Sequence, residues 1–272
     1  MSKLSFSLKI KLAHRLNLGQ LTPDQLQGKT IACIREISLP YGMTKLRVGD
    51  AFDIEGNDTQ HIAFVNSSVL MDAIGQGMQH GKIEVHGDVG HYLGLNMRGE
   101  IELFGNAGNF VACQMQSGLI RIHGNVGDFA GGALIGNRRG MRGGMLIING
   151  NAGDRLGDQM RRGTILVDGN VGDYCAANMV AGTIGIAGKI GAYCGYAMRH
   201  GTILIANSTA TTNAFHPTMV DVGHHHLAFL RLLFSAWRDL PTHFSKLTSI
   251  RAHRWMGDIA SDGKGEILIL QN

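Results

Sequence analysis

The chain has 272 residues, enough to bury a substantial core in one long domain or in one domain with extensions. Its 25 Lys and Arg residues against 21 Asp and Glu residues give a net charge of +4, which argues against a nucleic-acid-binding protein. Glycine is the outlier, since 39 residues are about twice the usual share of roughly 7%. Because these glycines recur periodically, they indicate repeated tight corners and not low-complexity disorder.

The amino-terminal part is predicted to be a small β-rich cap over residues 1–60. Residues 3–10 alternate between apolar and polar, which is typical of a half-exposed strand. Residues 22–26 read as a short helix with a Thr N-cap and Pro at the first helical position. Residues 30–39 and 46–54 are predicted to be further strands. Such a cap would cover the open end of a stack of repeats.

A repeat fills the middle of the chain, over residues 61–207. It opens on glycines at positions 81, 99, 118, 144, 163, 182 and 201, so that the spacings are 18, 19, 26, 19, 19 and 19 residues. The long spacing contains seven extra residues, around Leu134 to Gly140. A period this short and regular predicts a solenoid, in which each repeat buries its apolar side only against its neighbours.

Each repeat begins with a predicted strand whose inward side chains are aliphatic and often β-branched. These inward pairs are Ile83/Val85, Ile101/Leu103, Ile120/Ile122, Leu146/Ile148, Ile165/Val167, Ile184/Ile186 and Ile203/Ile205. A corner follows, in which two glycines flank a small or β-branched residue and predict positive φ. An aromatic residue comes next, except at Arg155, and then a methionine. These ladder methionines are predicted to fill the core and not to bind a soft metal; they are Met78, Met97, Met115, Met141, Met160, Met179 and Met198.

Two polar columns face outward. Stacked amides are predicted to stabilise a corner in the asparagine column, which comprises Asp88, Asn106, Asn125, Asn151, Asn170 and Lys189. The acidic column is His91, Asn109, Asp128, Asp154, Asp173 and Ala192. It could suggest calcium, but the repeat lacks the Gly-Gly-x-Gly-x-Asp pattern of calcium-binding β-rolls. A structural role is therefore favoured for both columns.

Basic residues follow several ladder methionines. We call them the arginine edge: Arg98, Arg142, Arg161, Arg162 and Arg199, with Arg138 and Arg139 of the insertion. Like charges on adjacent repeats repel by somewhat under ~1 kcal/mol in water, so this edge could simply be a solvated surface. The alternative is an anionic partner, either a carboxylate-rich ligand or an acidic face of another polypeptide. The sequence leaves both interpretations open.

The carboxy-terminal part, residues 208–272, is predicted to pack on the repeats. Ser208 to Pro217 reads as a loop, and apolar spacing predicts a helix from Leu227 to Trp237 that lies along the repeats or covers their end. The His224–His226 run is assigned to a loop or cap, because consecutive histidines do not converge on one metal ion. Gly265 to Leu270 is predicted to be a final strand.

The four cysteines and the apolar segments indicate in which cellular compartment the protein is expected. Cys175 and Cys194 share a repeat position and are predicted to stack as buried thiols, with a disulfide as the alternative; Cys33 and Cys113 complete the set. The amino terminus lacks the apolar core of a signal peptide. No apolar run approaches the roughly 18 residues that span a bilayer. We therefore expect a cytoplasmic protein.

The sequence lacks the common motifs of catalytic and cofactor-binding sites. It has no cysteine cluster for iron–sulfur ligation, no nucleophile–base pattern and no phosphate-binding loop. An independent enzyme on a β-helix is the rival reading. Hexapeptide acyltransferases repeat every six residues, and polysaccharide lyases would be secreted, so neither class matches this chain. We expect no catalytic centre and no metal site in it.

The repeats, clearest at Gly163–Gly182, resemble the GXGXG coils shared by glutamate synthase large subunits and the C subunit of formylmethanofuran dehydrogenase. Trp255–Asp258 and Gly263–Leu268 extend the resemblance to this C-subunit family over nearly the whole chain. The resemblance implies an all-β fold: a right-handed parallel β-helix of about seven coils of about 19 residues, with an amino-terminal β cap and a carboxy-terminal helical arm.

Within that family the helical arm resembles the bacterial formyltransferase/hydrolase branch more than the archaeal one. This implies a non-catalytic C subunit that assembles with A, B and D subunits in tetrahydromethanopterin-linked one-carbon metabolism. A formyl group would pass from formyl-tetrahydromethanopterin to a furan coenzyme in the D subunit, and the A subunit would release it as formate. The arginine edge would then hold the glutamate-rich coenzyme tail or an acidic partner. The alternatives are an archaeal-type molybdenum or tungsten enzyme, whose metals lie in other polypeptides, and a glutamate-synthase-like structural domain.

Overall fold

The computed structural model describes residues 2–206, 215 and 217–271, and β-strands dominate it, as the sequence predicts. The strands in chain order are β1 (Lys3–Leu8), β2 (Leu16–Asn17), β3 (Ser38–Tyr41), β4 (Thr44–Arg47), β5 (Phe52–Glu55), β6 (Asp58–Val65), β7 (Met71–Asp72), β8 (Lys82–His86), β9 (Glu100–Phe104), β10 (Leu119–Ile122), β11 (Arg142–Ile148), β12 (Arg162–Val167), β13 (Thr183–Ile186), β14 (Thr202–Ile205), β15 (Val220–His226), β16 (Arg251–Gly257) and β17 (Gly265–Leu270). The helices are α1 (Pro23–Leu26), α2 (Ile31–Arg35), α3 (Val48–Ala51) and α4 (Phe229–Trp237), with 3-10 turns at His243–Lys246 and Ile259–Ser261. No described helix is long and apolar enough to cross a membrane.

One large mixed sheet runs through the described part of the chain in the order β15-β16-β17-β14-β13-β12-β11-β10-β9-β8-β6-β1-β5. Its central strands are parallel and pair equivalent residues of successive repeats, for example Ile165 with Ile184 and Ile184 with Ile203. A second column of parallel bridges joins the corner residues Val89, Ala107, Val126, Ala152, Val171 and Ile190. Each repeat therefore stacks on the next at two places. A smaller sheet has the order β4-β3-β2-β7.

The core lies on the inner face of these strands. The aliphatic pairs that the sequence assigns to the core are no more than 1% exposed. All seven ladder methionines are completely buried, which confirms that they fill the core. Because full burial of one such side chain contributes roughly 1.5–3 kcal/mol, the repeated columns supply most of the driving force for stacking.

The corner glycines do not behave as predicted. Among them, only Gly87 has a positive φ, of 113°. The others are required because neighbouring corners approach too closely for a side chain. A Cβ at Gly124 would lie 2.5 Å from the carbonyl oxygen of Gly105, and one at Gly169 would lie 2.5 Å from that of Gly150.

Positive φ occurs instead in the aromatic column, which comprises Tyr92, Phe110, Phe129, Arg155, Tyr174 and Tyr193. A left-handed conformation costs a side chain roughly 1–2 kcal/mol. Ring stacking offsets this cost by about 0.5–1.5 kcal/mol per pair. The ring centroids of Phe110 and Phe129 are 5.1 Å apart, and those of Tyr174 and Tyr193 are 5.0 Å apart. The Arg155 guanidinium continues the column, lying 5.8 Å from the Phe129 ring centroid and 4.9 Å from that of Tyr174.

Both polar columns bond to the backbone of the next repeat. Asn125 Oδ1 accepts from the main-chain and side-chain amides of Asn151 at 2.8 and 3.0 Å. Asp154 Oδ1 accepts from the main-chain amide of Asp173 at 2.8 Å. Their oxygens are thus used in stacking the repeats, which confirms the structural interpretation. The described residues contain no group of three or more His, Cys, Asp or Glu side chains that could hold a metal ion.

The repeat-borne cysteines are buried free thiols, as predicted. Two main causes raise the pKa of Cys175: the larger is a hydrogen bond with Cys194, and the smaller is burial. Burial also raises the pKa of Cys113 to about 12. Both thiols therefore stay protonated and unreactive at neutral pH.

The amino-terminal part differs from its prediction at two places. Strand β1 and helix α1 form as expected. The prediction of a strand over 30–39 is wrong, because this segment begins with helix α2. The Thr30 hydroxyl caps the first turn of α2 by accepting a hydrogen bond from the Cys33 amide at 3.3 Å. The strand predicted over 46–54 is interrupted by α3, a single helical turn between β4 and β5.

Glu84 makes the attachment of the amino-terminal strand sensitive to pH. Its carboxylate accepts from the Lys3 ammonium at 2.8 Å, and this hydrogen bond lowers the pKa of Glu84 from 4.5 to about 2. A depressed folded-state pKa stabilises the fold above pH 4.5, and this stabilisation is lost as pH falls toward 2. We expect the free energy of unfolding to fall by roughly 2 kcal/mol over that interval, after allowance for solvent screening. Urea titrations at several pH values would show this loss, and Glu84→Gln should abolish it.

The carboxy-terminal part completes the large sheet. Strand β17 adds in parallel to β14, with β16 and β15 antiparallel beyond it. The predicted helix forms as α4 and buries Leu230, Phe234 and Trp237 against the outer face of the sheet. The His224–His226 run lies in β15, so its assignment to a loop or cap is wrong. The loop predicted from Ser208 to Pro217 lies largely outside the described residues.

Candidate functional site

Three side chains of the arginine edge converge on one cavity of about 670 Å³, which we call the arginine groove. They are Arg138 from the insertion, and Arg161 and Arg199 from the position after two ladder methionines. The cavity is lined by Arg138, Gln159, Arg161, Asn178, Val180, Ala197, Arg199, Ala260, Ser261 and Asp262. Guanidinium groups are permanent cations with several N–H donors and no acceptor, so the three arginines give this cavity a positive charge.

The insertion contributes Arg138 to the lining of the arginine groove. The Gly140 amide donates to the Gln159 carbonyl at 2.9 Å, and the Ala133 amide donates to the Asp158 carbonyl at 3.1 Å. These bonds tie both ends of the insertion to the same turn of the next repeat. The Arg161 Nη2 in turn donates to the Arg138 carbonyl at 3.1 Å. The extra residues that interrupt the period therefore position a cationic side chain beside the repeat's own arginine.

Ala260, Ser261 and Asp262, from the carboxy-terminal turn and the residue after it, also line the groove, and we call them the carboxy-terminal wall. Asp258, which is only 2% exposed, holds this turn in place. Its carboxylate accepts from the Ala260 amide at 2.9 Å, from the Ala197 amide at 3.2 Å and from the Thr218 hydroxyl. The conspicuous Trp255–Asp258 segment of the sequence thus ends in a buried anchor for the groove wall.

Amide side chains lie on the floor, directly before the ladder methionines. Gln159 and Asn178 have φ of 56° and 54°. Asn178 Nδ2 donates to Asp158 Oδ1 at 3.3 Å, and Asp158 is only 6% exposed. Burial raises the pKa of Asp158, while Asn178 and Arg155 act in the opposite direction. The Asn178 side chain is therefore held in place by the buried Asp158 carboxylate.

Arg138 is shared with a second, smaller cavity of about 310 Å³, lined by Gln114, Asn137, Arg138, Arg139 and Arg142. Arg142 Nη2 donates to Asn96 Oδ1 at 3.1 Å, so this arginine is partly held by the protein itself. The two cavities thus share one lining residue, Arg138, and besides it they contain four of the seven residues of the arginine edge: Arg161 and Arg199 in the groove, and Arg139 and Arg142 in the smaller cavity.

Two predicted site residues line neither of these two cavities. Arg98 donates from Nε and Nη2 to Gln116 Oε1 at 3.0 and 2.6 Å, and it lines a different cavity of about 430 Å³. Arg162 is exposed at the start of β12, where it pairs with Arg142 across the strands, and it lines neither arginine cavity. The edge is therefore not one uniform site.

The amide floor and the carboxy-terminal wall were not predicted from the sequence. A signal for the floor exists, because Asn96, Gln114, Gln159 and Asn178 recur directly before the ladder methionines. No comparable signal places Ala260, Ser261 and Asp262 beside Arg199, because contacts between segments far apart in the chain bring them there, including the pairing of β17 with β14 and the bond from the Ala197 amide to Asp258.

A family model for the GXGXG motif matches residues 43–231, which is more than two thirds of the chain. The chain belongs to the GXGXG family. One similar protein is the C subunit of the formyltransferase/hydrolase complex of Methylorubrum extorquens, 38% identical over 86 residues, which are 32% of each chain. Another is the C subunit of tungsten-containing formylmethanofuran dehydrogenase 2 of Methanothermobacter thermautotrophicus, 33% identical over 99 residues, or 35% of this chain and 37% of the relative.

The aligned stretches thus span about a third of these curated relatives. A solved structure extends the likeness to the full length. It is the crystal structure of the formyltransferase/hydrolase complex of Methylorubrum extorquens with methylofuran, and one of its chains matches with a TM-score of 0.92 and 34% identity. The match covers 98% of this chain and 100% of that chain. The family resemblance noted in the sequence is confirmed.

Proposed function

We propose that this chain is the non-catalytic C subunit of a formyltransferase/hydrolase complex in one-carbon metabolism. The observation that carries the proposal is the full-length structural match to a chain of such a complex. In this proposal the repeats of residues 61–207 form a right-handed parallel β-helix. Residues 1–60 form its cap and residues 208–272 its carboxy-terminal arm, and the rod supports the A, B and D subunits.

Chemistry in the proposed complex takes place in the other polypeptides. A formyl group is transferred from formyl-tetrahydromethanopterin to a furan coenzyme in the D subunit, and it is released as formate in the A subunit. The chain's own contribution is to bind and orient. The groove donors suit carboxylates, and the apolar lining is limited to Val180, Ala197 and Ala260, so the groove fits an anionic coenzyme tail and not a furan ring.

All seven residues of the arginine edge belong to this proposal as contacts to the coenzyme tail or to an acidic face of a partner polypeptide. Those in the two arginine cavities are the stronger candidates, because they converge. The alternative assembly is an archaeal-type molybdenum or tungsten formylmethanofuran dehydrogenase, which the similarity to the archaeal relative supports. A structural domain of the glutamate-synthase kind remains the second alternative.

Purification through an affinity tag on this chain, expressed in its native host, tests the assembly. We expect three further polypeptides to co-purify, together with a furan coenzyme that is released on denaturation. Molybdenum or tungsten in the same preparation would favour the archaeal type. A chain recovered alone, or within an amidotransferase, would contradict the proposal.

Charge reversal at Arg142 and Arg161 tests the role of the edge. Each charge-assisted contact contributes about 1.5–3 kcal/mol, so Arg142→Glu with Arg161→Glu should reduce assembly or coenzyme retention at least ~10-fold. Polypeptide ratios on a gel and coenzyme content by mass spectrometry provide the measurement. Lys29→Glu with Lys45→Glu makes the same change of charge at exposed sites of the amino-terminal part. Normal composition and coenzyme content in the arginine variant would exclude the edge from the binding surface.

A further inference from the structure

Helix α4 carries more apolar surface than its own sheet covers. Leu230, Phe234 and Trp237 face the sheet and are no more than 5% exposed. On the same helix, Phe229 and Leu232 are 43% and 77% exposed. A helix that is apolar on both sides is typical of one that lies between two surfaces. The sheet is one of these surfaces.

The exposed apolar residues form a second stripe along α4. Successive residues of an α-helix are about 100° apart, so Phe229, Leu232 and Ala236 fall on one side, and all three are exposed. This stripe joins the buried one through Leu233, which is partly buried. The apolar arc from Leu232 to Phe234 is therefore roughly 200° wide, whereas a helix that packs on a single surface needs about 100°. The outer half of the arc is left for another surface.

A cationic stripe runs along the other side of α4. Arg231, Ser235 and Arg238 share this side, and they help to line a cavity of about 380 Å³ between the helix and residues 245–248. The full lining is Arg231, Phe234, Ser235, Arg238, Ser245, Leu247 and Thr248, so it contains no acidic residue. Within the described part of the chain, neither guanidinium has an ion pair. Two free guanidinium groups beside hydroxyls suit a carboxylate that enters from outside.

The charge around α4 favours an acidic partner. Residues 227–251 contain the four cations Arg231, Arg238, Lys246 and Arg251 but one acidic residue, Asp239. The segment thus has an excess of three positive charges in a chain whose net charge is +4. A surface of one sign attracts a partner of the opposite sign and repels a like one.

A second copy of this chain fits the surface poorly. If α4 packed antiparallel on its own copy about a two-fold axis, each flank would meet the same flank, so the arginines of both copies would face each other. In a parallel pairing, the arginines would be desolvated against the apolar stripe of the other copy. A different polypeptide that offers apolar side chains beside carboxylates matches both flanks.

We infer that the outer face of α4 docks a segment of another polypeptide that presents apolar side chains beside carboxylates. Phe229 and Leu232 are its apolar anchors, and Arg231 and Arg238 receive a carboxylate in the cavity beside them. Aromatic and arginine side chains contribute the largest single energies at protein interfaces. The inference rests on the proposed function, because the proposed complex supplies the polypeptide.

A substitution in the apolar stripe tests the docking surface in the complex, purified through a tag on this chain. Leu232→Asp places a charge where the partner covers the stripe, close to the partner's own carboxylates. Dissociation of one polypeptide on dilution, followed by mass photometry, should begin at a concentration at least ~10-fold higher than in the wild type. The free chain should keep its thermal stability, because Leu232 is largely exposed. Met43→Asp makes the same kind of change at a fully exposed side chain in the β3–β4 turn and should have no effect.

Removing charge tests the cationic flank. Arg231→Gln with Arg238→Gln should also promote dissociation at least ~10-fold and should reduce its dependence on salt, because two charge-assisted contacts are lost. Lys29→Gln with Lys45→Gln removes the same charge at exposed sites of the amino-terminal part and should leave dissociation unchanged. Wild-type dissociation in either the Leu232 variant or the arginine variant overturns the inference.

Cross-linking identifies the occupant. A photo-reactive phenylalanine analogue, incorporated at position 232 and irradiated within the complex, should capture another polypeptide at a segment that combines apolar residues with Asp or Glu. The same analogue at position 43 should not capture that segment. Capture of a second copy of this chain, or of nothing, overturns the inference. A wild-type chain that purifies alone contradicts the proposed function and the inference with it, whereas an intact complex with unaffected variants contradicts the inference alone.

Discussion

Replacing Gly118 by alanine is expected to lower the free energy of unfolding by on the order of 4 kcal/mol. Gly118 has a φ of 86°, and a Cβ there would lie 2.0 Å from the Gly99 carbonyl oxygen and 2.1 Å from that of Arg98. Both atoms belong to the backbone of the preceding repeat, so no side chain can move aside. The repeats must separate, which weakens the hydrogen bond from the Leu119 amide to the Gly99 carbonyl, 3.1 Å long in the native chain.

Gly136 supplies the matched control. Its φ is 84°, close to that of Gly118, but a Cβ there would have no neighbour within 4 Å. Gly136→Ala should therefore cost only the backbone strain, roughly 1–2 kcal/mol. Urea unfolding followed by circular dichroism would compare the two variants. Equal losses would mean that positive φ alone determines the effect and that the close stacking of repeats contributes nothing.

This pair of glycines illustrates what the sequence could and could not predict about the fold. The periodic columns were predictable, because inward aliphatic and methionine positions recur at a fixed spacing and burial follows from that pattern. The reason for the corner glycines was not. A glycine demanded by positive φ and a glycine demanded by a neighbouring backbone look identical in a sequence, and only the distances at Gly124 and Gly169 separate them.

The amino-terminal errors have a different physical cause. The segment 30–39 contains β-branched and aliphatic residues in numbers that favour a strand. Instead, the Thr30 hydroxyl accepts a hydrogen bond from the Cys33 amide, which would otherwise have no partner in the first turn of α2. Local hydrogen bonding thus outweighs strand propensity here, because the segment is too short for its apolar periodicity to distinguish a strand from a helix.

For the candidate site, the sequence predicted the charges but not the enclosure. The arginine edge was readable from one repeated position. Its division into a groove, a smaller cavity and two separate residues depends on contacts between distant segments. The groove lining combines Arg138 of the insertion with residues of the turn after β16, and these two segments are far apart in the chain. Spacing within a repeat contains no information about contacts between them.

Loss of the Asp258 carboxylate is expected to be nearly as damaging as the Gly118 substitution. Asp258→Ala leaves the Thr218 hydroxyl and the amides of Ala197 and Ala260 without this acceptor. Buried donors that lose their partner cost about 1–3 kcal/mol each, partly recovered where water enters, so a total loss on the order of 3–4 kcal/mol is expected. Thermal unfolding of the purified chain measures it, and Asp258→Asn, which retains one carbonyl oxygen, should lose less.

Asp258→Ala also tests whether binding in the arginine groove depends on the carboxy-terminal wall as well as on the charge of the arginines. If the turn at Ala260 moves when its anchor is removed, the complex should retain less furan coenzyme although Arg138, Arg161 and Arg199 are all present. Asp239→Ala removes an exposed carboxylate near the end of α4 and should change neither stability nor binding. Full stability of Asp258→Ala would show that the buried carboxylate does not hold the turn. Reduced stability with unchanged binding would show that the arginines act without the wall, because a loosened turn would then leave their geometry intact.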